Sequence, residues 1–470
     1  MYRSLFKCSI TLAMVAMSAL PVSSTSAAST LATTDTDVLH AYTLMGINGQ
    51  AIARAITRGD TCPTLIVDSK RLAMHERAAK GTPAARNGDQ PDAKPAAFPV
   101  TSCEADIPVR AHHASVGDIA IPVPVAEPRH IVVIGDTGCR AKASENYYQS
   151  CNDSDKWPFA KISALAASHK PDLVIHVGDY HYRESPCPAD NAGCTGSPWG
   201  YGYDVWDADV FQPAAPLWKA APWVAVRGNH ESCNRAGQGW FRFLDVHSYA
   251  ADSNCDDPKQ DAQGDFTVPY AVPLDAHRQL IVFDSSKASA NAYTEDSAAF
   301  KRYRELLIQV DQLAAKPGMK SIFLSHHPIL GLAATDDGKI NPGNQGLQSV
   351  MTTLHGQRLF ADGIDLAMHG HVHQFQALGF SSNQPATLVG GNSGSDLSAA
   401  LPAQLPPGTE PAPGAVVETF FTQHDFGFMT MDRTRYGWYI TEWSRHGKAL
   451  FHCRFDGKLA CTRTADAPAN

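Results

Sequence analysis

The chain lacks a membrane-length apolar run after its first residues, lacks any Cys-x-x-Cys pair, shows no internal repeat and carries no surplus of positive charge. Each absence excludes something. Without a later apolar run of about 20 residues there is no candidate spanning helix. Without Cys-x-x-Cys spacing a cysteine-based metal site is not indicated. Without a repeat, a solenoid or propeller is not expected. Lys and Arg number 39 against 47 Asp and Glu, a net charge of −8 over 470 residues, so nothing indicates a nucleic-acid-binding or anionic-membrane surface. An acidic chain still admits an anionic substrate, because a bound metal brings its own local positive charge. The composition, 44% hydrophobic and 18% charged, is that of a folded protein rather than a disordered one.

What is present begins with a leader-like N-terminus. Residues 1–28 contain no Asp or Glu, and Arg3 and Lys7 precede the apolar stretch Ile10 to Val22. That stretch is too short to span a bilayer comfortably. Thr25-Ser26-Ala27 or Ser26-Ala27-Ala28 fits a cleavage site. Residues 1–28 therefore read as a signal peptide, with a membrane anchor as the alternative, and the mature chain as exported to a periplasm or beyond the cell. Loss of Arg3 and Lys7 takes the net charge from −8 to −10. Of 11 cysteines, Cys8 leaves with the leader, and the even remainder suits an oxidising compartment. Short loop closure favours pairing in order: Cys62–Cys103, Cys139–Cys151, Cys187–Cys194, Cys233–Cys255 and Cys453–Cys461.

Composition shifts divide the rest. Residues 29–127 hold short strand-like runs (Thr64–Val67, Phe98–Thr101, Val116–Ile121) and a Gly/Pro-rich loop at Gly81–Lys94, and read as a small β-sandwich. The run PVPVAEP before Arg129 reads as a linker. Residues 128–470 alternate apolar strands with helical stretches, Pro158–Ser168 and Asp296–Ala314, which predicts α/β layers. They end in a β-meander over Phe426–Met431, Tyr436–Trp443 and Leu450–Phe455.

Five apolar runs end in polar, metal-capable clusters. IVVI runs into Gly135-Asp136-Thr137-Gly138, and LVIHV into Gly178-Asp179-Tyr180-His181-Tyr182. WVAV leads to Gly228-Asn229-His230-Glu231, SIFLS to His326-His327-Pro328, and IDLAM to Gly370-His371-Val372-His373. A buried strand holds a ligand rigidly, and a glycine beside it permits a tight turn. Sites in α/β sheets gather at the carboxyl ends of strands, so five ends on one sheet edge converge on one point. The donors are oxygen from Asp136, Asp179 and Asn229, imidazole from His326, His371 and His373, and a phenol from Tyr182. That mix suits Fe, Zn or Mn, and a metal pair clamps the oxygens of phosphoryl transfer. Singly, each short motif is more often a turn. His176 and His369 read as core or supporting groups, Arg227 as a salt-bridge partner, and Gly390-Gly391-Asn392-Ser393-Gly394 as a tight loop near the site.

The ordered set GDxG, GDxxY, GNHE, HxP and GHxH resembles the calcineurin-like metallophosphoesterases, specifically their purple acid phosphatase branch. Gly138 stands where the wider superfamily has the histidine of Asp-x-His, and Tyr182 stands three residues after Asp179. The resemblance spans roughly residues 129–380. It implies a layered α/β fold of two mixed sheets flanked by helices, preceded by the β-sandwich. It also implies two metals. Asp136, Asp179, Tyr182 and His373 would hold Fe(III), and Asp179, Asn229, His326 and His371 would hold Zn, Mn or Fe(II). A hydroxide on the cluster would attack phosphorus, and His230 would meet the phosphoryl oxygens or protonate the leaving group. His181 and His327 are further pocket candidates. The implied activity is hydrolysis of small phosphate monoesters, with a phosphodiesterase acting on nucleotides or phospholipid headgroups as the near alternative. An exported binding protein with a vestigial site is the alternative of another class. Oligomeric state is not legible.

Overall fold

Three parallel strands, His130–Ile134, Leu173–His176 and Trp223–Ala225, buried throughout except at His130, run side by side with His176 in register with both Ile134 and Ala225. Their carboxyl ends therefore lie level. Such strands are covered on both faces, which is why they read as unbroken apolar runs rather than alternating ones. In this computed structural model, which describes residues 37–465, the strands sit in the middle of an 11-stranded mixed sheet. The expected signal peptide lies outside the described residues. Among those residues no helix is long and apolar enough to cross a membrane.

The other two motif strands, Lys320–Leu324 and Ile364–His369, belong to a second, seven-stranded sheet, with Leu324 level with Met368. The expectation of one shared sheet edge is thus corrected. Three ligand-bearing ends come from one sheet and two from the other, and the inner faces of both sheets share one apolar core containing Val133, Val174, Leu324, Met368 and Leu388. The second sheet's outer face is covered by the helices Ala298–Ala314 and Gln345–His355. The first of these buries Phe300, Tyr303, Leu306, Leu307 and Val310, the spacing of one helical face. It starts where Ser297 accepts the amide of Phe300, a cap contributing about 1 kcal/mol. The helix Phe159–Ser168 buries Phe159, Ile162 and Ala166 in the larger core. The architecture is the layered α/β sandwich expected from the sequence.

The β-rich region at residues 29–127 supplies two sets of strands. Thr64–Val67, Lys70–Ala73, Ala114–Val116 and Ile119–Ile121 form a four-stranded sheet of their own. Val38–Met45, Ala51–Thr57, Thr101–Ile107 and His75–Ala78 instead extend the 11-stranded sheet, joined where Leu44 pairs in parallel with Trp223. The run Val116–Ile121, read as one strand, is a hairpin broken at Gly117, whose φ of 55° is a turn conformation. The C-terminal meander forms as Gly427–Arg433, Trp438–Ser444 and Ala449–Phe455, with a fourth strand at Leu459–Arg463. All five disulfides pair as the sequence order suggested.

Candidate metal centre

The loops after the five strands bring seven donor side chains to one place. The hydroxyl of Tyr182 lies 2.8 Å from Asp136 Oδ1, 3.1 Å from Asp179 Oδ2 and 2.9 Å from His373 Nε2. These four residues make one group. On the far side of Asp179, His326 Nε2 lies 3.0 Å from Asp179 Oδ2 and 3.1 Å from Asn229 Oδ1. His371 Nδ1 is 3.0 Å from that same amide oxygen. These make a second group, and a single atom, Asp179 Oδ2, touches both. Donor atoms of Asp179, His326 and His371 all fall within 4.8 Å of one another. Tyr182, Asp136 and His326 are buried, whereas His371 is exposed, so the second group is the open side.

The backbone is bent to make this possible. Asp136, Asp179 and His371 have φ of 54°, 57° and 69°. Left-handed backbone costs an L-residue roughly 1–2 kcal/mol and is kept where surrounding contacts hold it, often at functional sites. Those contacts are present. The Asp136 amide donates to the Gly178 carbonyl, and the His371 amide to Asp136 Oδ2. Close approach also explains two glycines. A Cβ at position 228 would stand 2.0 Å from Asp179 Oδ1, and one at position 138 would stand 2.6 Å from the Tyr180 carbonyl oxygen and 2.8 Å from Asp209. Position 138 has no room for a histidine.

Two carboxyls that the motif reading left without a role organise the loops. Glu231 is buried and accepts the amides of Gly228, Asp179, Tyr180 and His181. Asp209 is buried and accepts the amides of Cys139 and Tyr182 and the guanidinium of Arg183, tying the first motif loop to the second. Glu231 had a visible signal, the last letter of Gly-Asn-His-Glu, but Asp209 had none. Burial and the charge of Asp179 push Glu231 up to about 8.

Electrostatics and tautomers fit a cation. His326 Nδ1 faces the Val177 carbonyl at 2.9 Å and His373 Nδ1 faces that of Asp396, which leaves each Nε2 free as a ligand. Burial pulls His326 down, but the carboxylates of Asp179 and Asp136 outweigh it and hold the imidazole up at about 9. Burial with the same two carboxylates pushes the Tyr182 phenol well above its usual range. The cluster thus retains protons where positive charge is wanted, and hard oxygen with borderline nitrogen donors suits Fe, Zn or Mn.

The three remaining histidine candidates fare differently. His230 packs its ring 3.9 Å from that of Tyr182, with Nδ1 2.8 Å from the His181 carbonyl and Nε2 3.8 Å from Asp179 Oδ2. Burial, with Arg235 beside it, pushes this imidazole down to about 4. His327 lies with its ring 4.3 Å from that of His371 and tilted to it, is held through Nδ1 by Ser285, and is pushed down to about 3 by burial and His326. His181 is not brought to the cluster. Its ring lies against Tyr201 and Trp206, because the three successive amides bound by Glu231 turn residue 181 away from residues 179 and 182. His176 bonds Thr137 and stacks on Tyr180 in the core, and His369 bonds Ser325. Arg227 pairs with Asp284 rather than reaching the donors. The loop at Gly390–Gly394 supports the first motif from behind, with Ser393 and Ser395 donating to the carbonyls of Gly135 and Asp136. A cavity of about 390 Å³ opens beside His327 and His371. A larger one, about 580 Å³, lies at the amino ends of the second sheet's strands, near Arg278, Lys320 and Ile364, and holds none of the donors.

Known proteins resemble the chain in the same region. The model of the family described as calcineurin-like phosphoesterase matches residues 129–375. Among solved structures, the purple acid phosphatase PPD1 from seeds of yellow lupin (Lupinus luteus) aligns at a TM-score of 0.51 with 15% identity, covering 91% of this chain and 74% of its own. A structure of PhoD aligns at 0.52 with 10% identity, covering 92% and 93%. At these identities the likeness is one of fold. No curated protein sequence matches the chain significantly.

Proposed function

The chain belongs to the calcineurin-like phosphoesterase family, whose chemistry is metal-dependent hydrolysis of phosphoric esters at a dinuclear centre, and on that basis we propose that it is an exported phosphomonoesterase of the purple acid phosphatase kind. Asp136, Asp179, Tyr182 and His373 would hold one cation, expected to be Fe(III). Asp179, Asn229, His326 and His371 would hold the other, expected to be Zn, Mn or Fe(II). The observation that carries this reading is the sharing of Asp179 Oδ2 between Tyr182 and His326. The Tyr182 hydroxyl 2.8 Å from Asp136 Oδ1, and a position 138 with no room for a histidine, support the purple branch. Five disulfides support an oxidising compartment.

A bound metal pair supplies Lewis acidity, polarising phosphoryl oxygens and acidifying water. The chain's own groups do the rest. Asp179 and Asp136 are locked by backbone bonds, so the donors are preorganised. His230, its Nδ1 directed at the His181 carbonyl with Glu184 3.0 Å away and its Nε2 2.7 Å from the Arg235 guanidinium, meets the phosphoryl oxygens or, protonated, passes its proton to the leaving oxygen. An anionic phosphoryl group beside it favours that protonated form. His327, neutral beside His371, flanks the ester arm.

The test compares p-nitrophenyl phosphate with its bis-aryl diester, using protein loaded with Fe, Zn or Mn. Faster hydrolysis of the monoester is expected. Faster hydrolysis of the diester moves the reading to a phosphodiesterase. A folded protein that binds no metal and hydrolyses neither leaves only a vestigial binding role.

A further inference from the structure

The cavity beside the second donor group has an unusual lining for a phosphate-ester site. His327 and His371 form its inner wall, so an ester whose phosphorus sits at the donors directs its arm into this space. Among the described residues no Lys, Arg, Asp or Glu lines it, and no Phe, Tyr or Trp does either. Its carboxamides are those of Asn291, Asn341, Asn344 and Gln345; Asn344 accepts the amide of Leu347, and the other three have no side-chain partner among the described residues. Its apolar floor includes Leu332. At about 390 Å³ it stands near the small end of ligand pockets, roughly 300–1,000 Å³. A short antiparallel pair, Ala333–Ala334 with Ile340–Asn341, walls the mouth and sets Asn341 opposite Ala333.

Each feature selects against a class of arm. A second phosphate placed there would find no cation to offset its charge. A nucleobase or aryl ring would find no Phe, Tyr or Trp to stack on, only the imidazoles of His327 and His371 at the donor end. A hydroxylated arm would find three free amides, each able to donate and accept, over a small apolar floor. We infer that this cavity takes the arm of a compact, neutral polyol monophosphate, of the glycerol phosphate or hexose phosphate class, with Asn291, Asn341 and Gln345 as its specificity-determining residues. The inference rests on the phosphatase reading of the adjoining donors.

The experiment measures kcat/KM of the metal-loaded full protein for glycerol 3-phosphate, a hexose 6-phosphate, AMP and ATP, with p-nitrophenyl phosphate as reference. The two polyol esters are expected to exceed AMP and ATP by about tenfold or more, the worth of one or two hydrogen bonds. Asn341→Leu is expected to lower the ratio of glycerol phosphate to p-nitrophenyl phosphate turnover about tenfold. It should weaken binding of the phosphonate analogue of glycerol 3-phosphate, read by calorimetry, by the same factor. Ala333→Trp, which fills the mouth, should raise KM for hexose phosphate more than for glycerol phosphate. Preference for AMP or ATP, or a ratio and an affinity unmoved by Asn341→Leu, overturns the inference while p-nitrophenyl phosphate hydrolysis leaves the phosphatase reading standing. Absence of p-nitrophenyl phosphate hydrolysis overturns both.

Discussion

Asp179 is held at every atom that matters. Its amide is bound by Glu231, its Oδ1 accepts the amide of His230, and its Oδ2 stands between Tyr182 and His326. Burial works against its charge, yet His326 and His230 hold the carboxyl well below the usual carboxylate range. The motif spacing made this residue legible, because a strand, a glycine and an acid form a local pattern. What the spacing did not carry was direction. His181 is two residues from Asp179 and points into the aromatic cluster, while Tyr182, one residue further, points at the donors. That choice depends on amide bonds to Glu231 from a distant loop, and Asp209 acts in the same way with no motif around it. The Tyr182 phenol, kept protonated by burial and by two carboxylates, needs a strong cation to ionise it. Iron-loaded protein should therefore show a visible phenolate-to-iron band that Tyr182→Phe abolishes. A band that persists in that variant would put the phenol elsewhere.

Among the elements, the ligand-bearing loops are short and tied twice. Cys139–Cys151 closes the loop after Asp136, and Cys187–Cys194 closes the one after Tyr182. These two crosslinks pack together with Tyr148 and Trp157. Sequence order was sufficient to pair them, since each closes a short loop. The division of the five motif strands between two sheets was not legible, because a buried run looks the same in either sheet and only pairing partners distinguish them. The double substitution Cys139→Ala/Cys151→Ala should cost about 3 kcal/mol of stability. It should lower metal affinity about 10- to 100-fold, as loss of supporting contacts does, while the far-ultraviolet circular dichroism stays unchanged. Unaltered metal affinity in a folded variant would show that the crosslink supports the fold alone.

Over the whole molecule, two sheets and one core bring together residues almost 240 positions apart, from Asp136 to His373. The N-terminal strands take part through the pairing of Leu44 with Trp223, so they brace the strand that leads into Asn229 and His230. Composition legibly marked that region as β-rich, but a long-range parallel pairing leaves no local trace. At the same scale, one carboxylate from the first sheet, Asp179, touches donors carried by both sheets, and the proposed two-cation site depends on it. Elemental analysis of the folded protein after metal loading, for wild type and Asp179→Asn, tests it most directly. Two cations per chain are expected in wild type and fewer than two in the variant at unchanged circular dichroism. One cation or none in wild type, or two retained by Asp179→Asn, would contradict it.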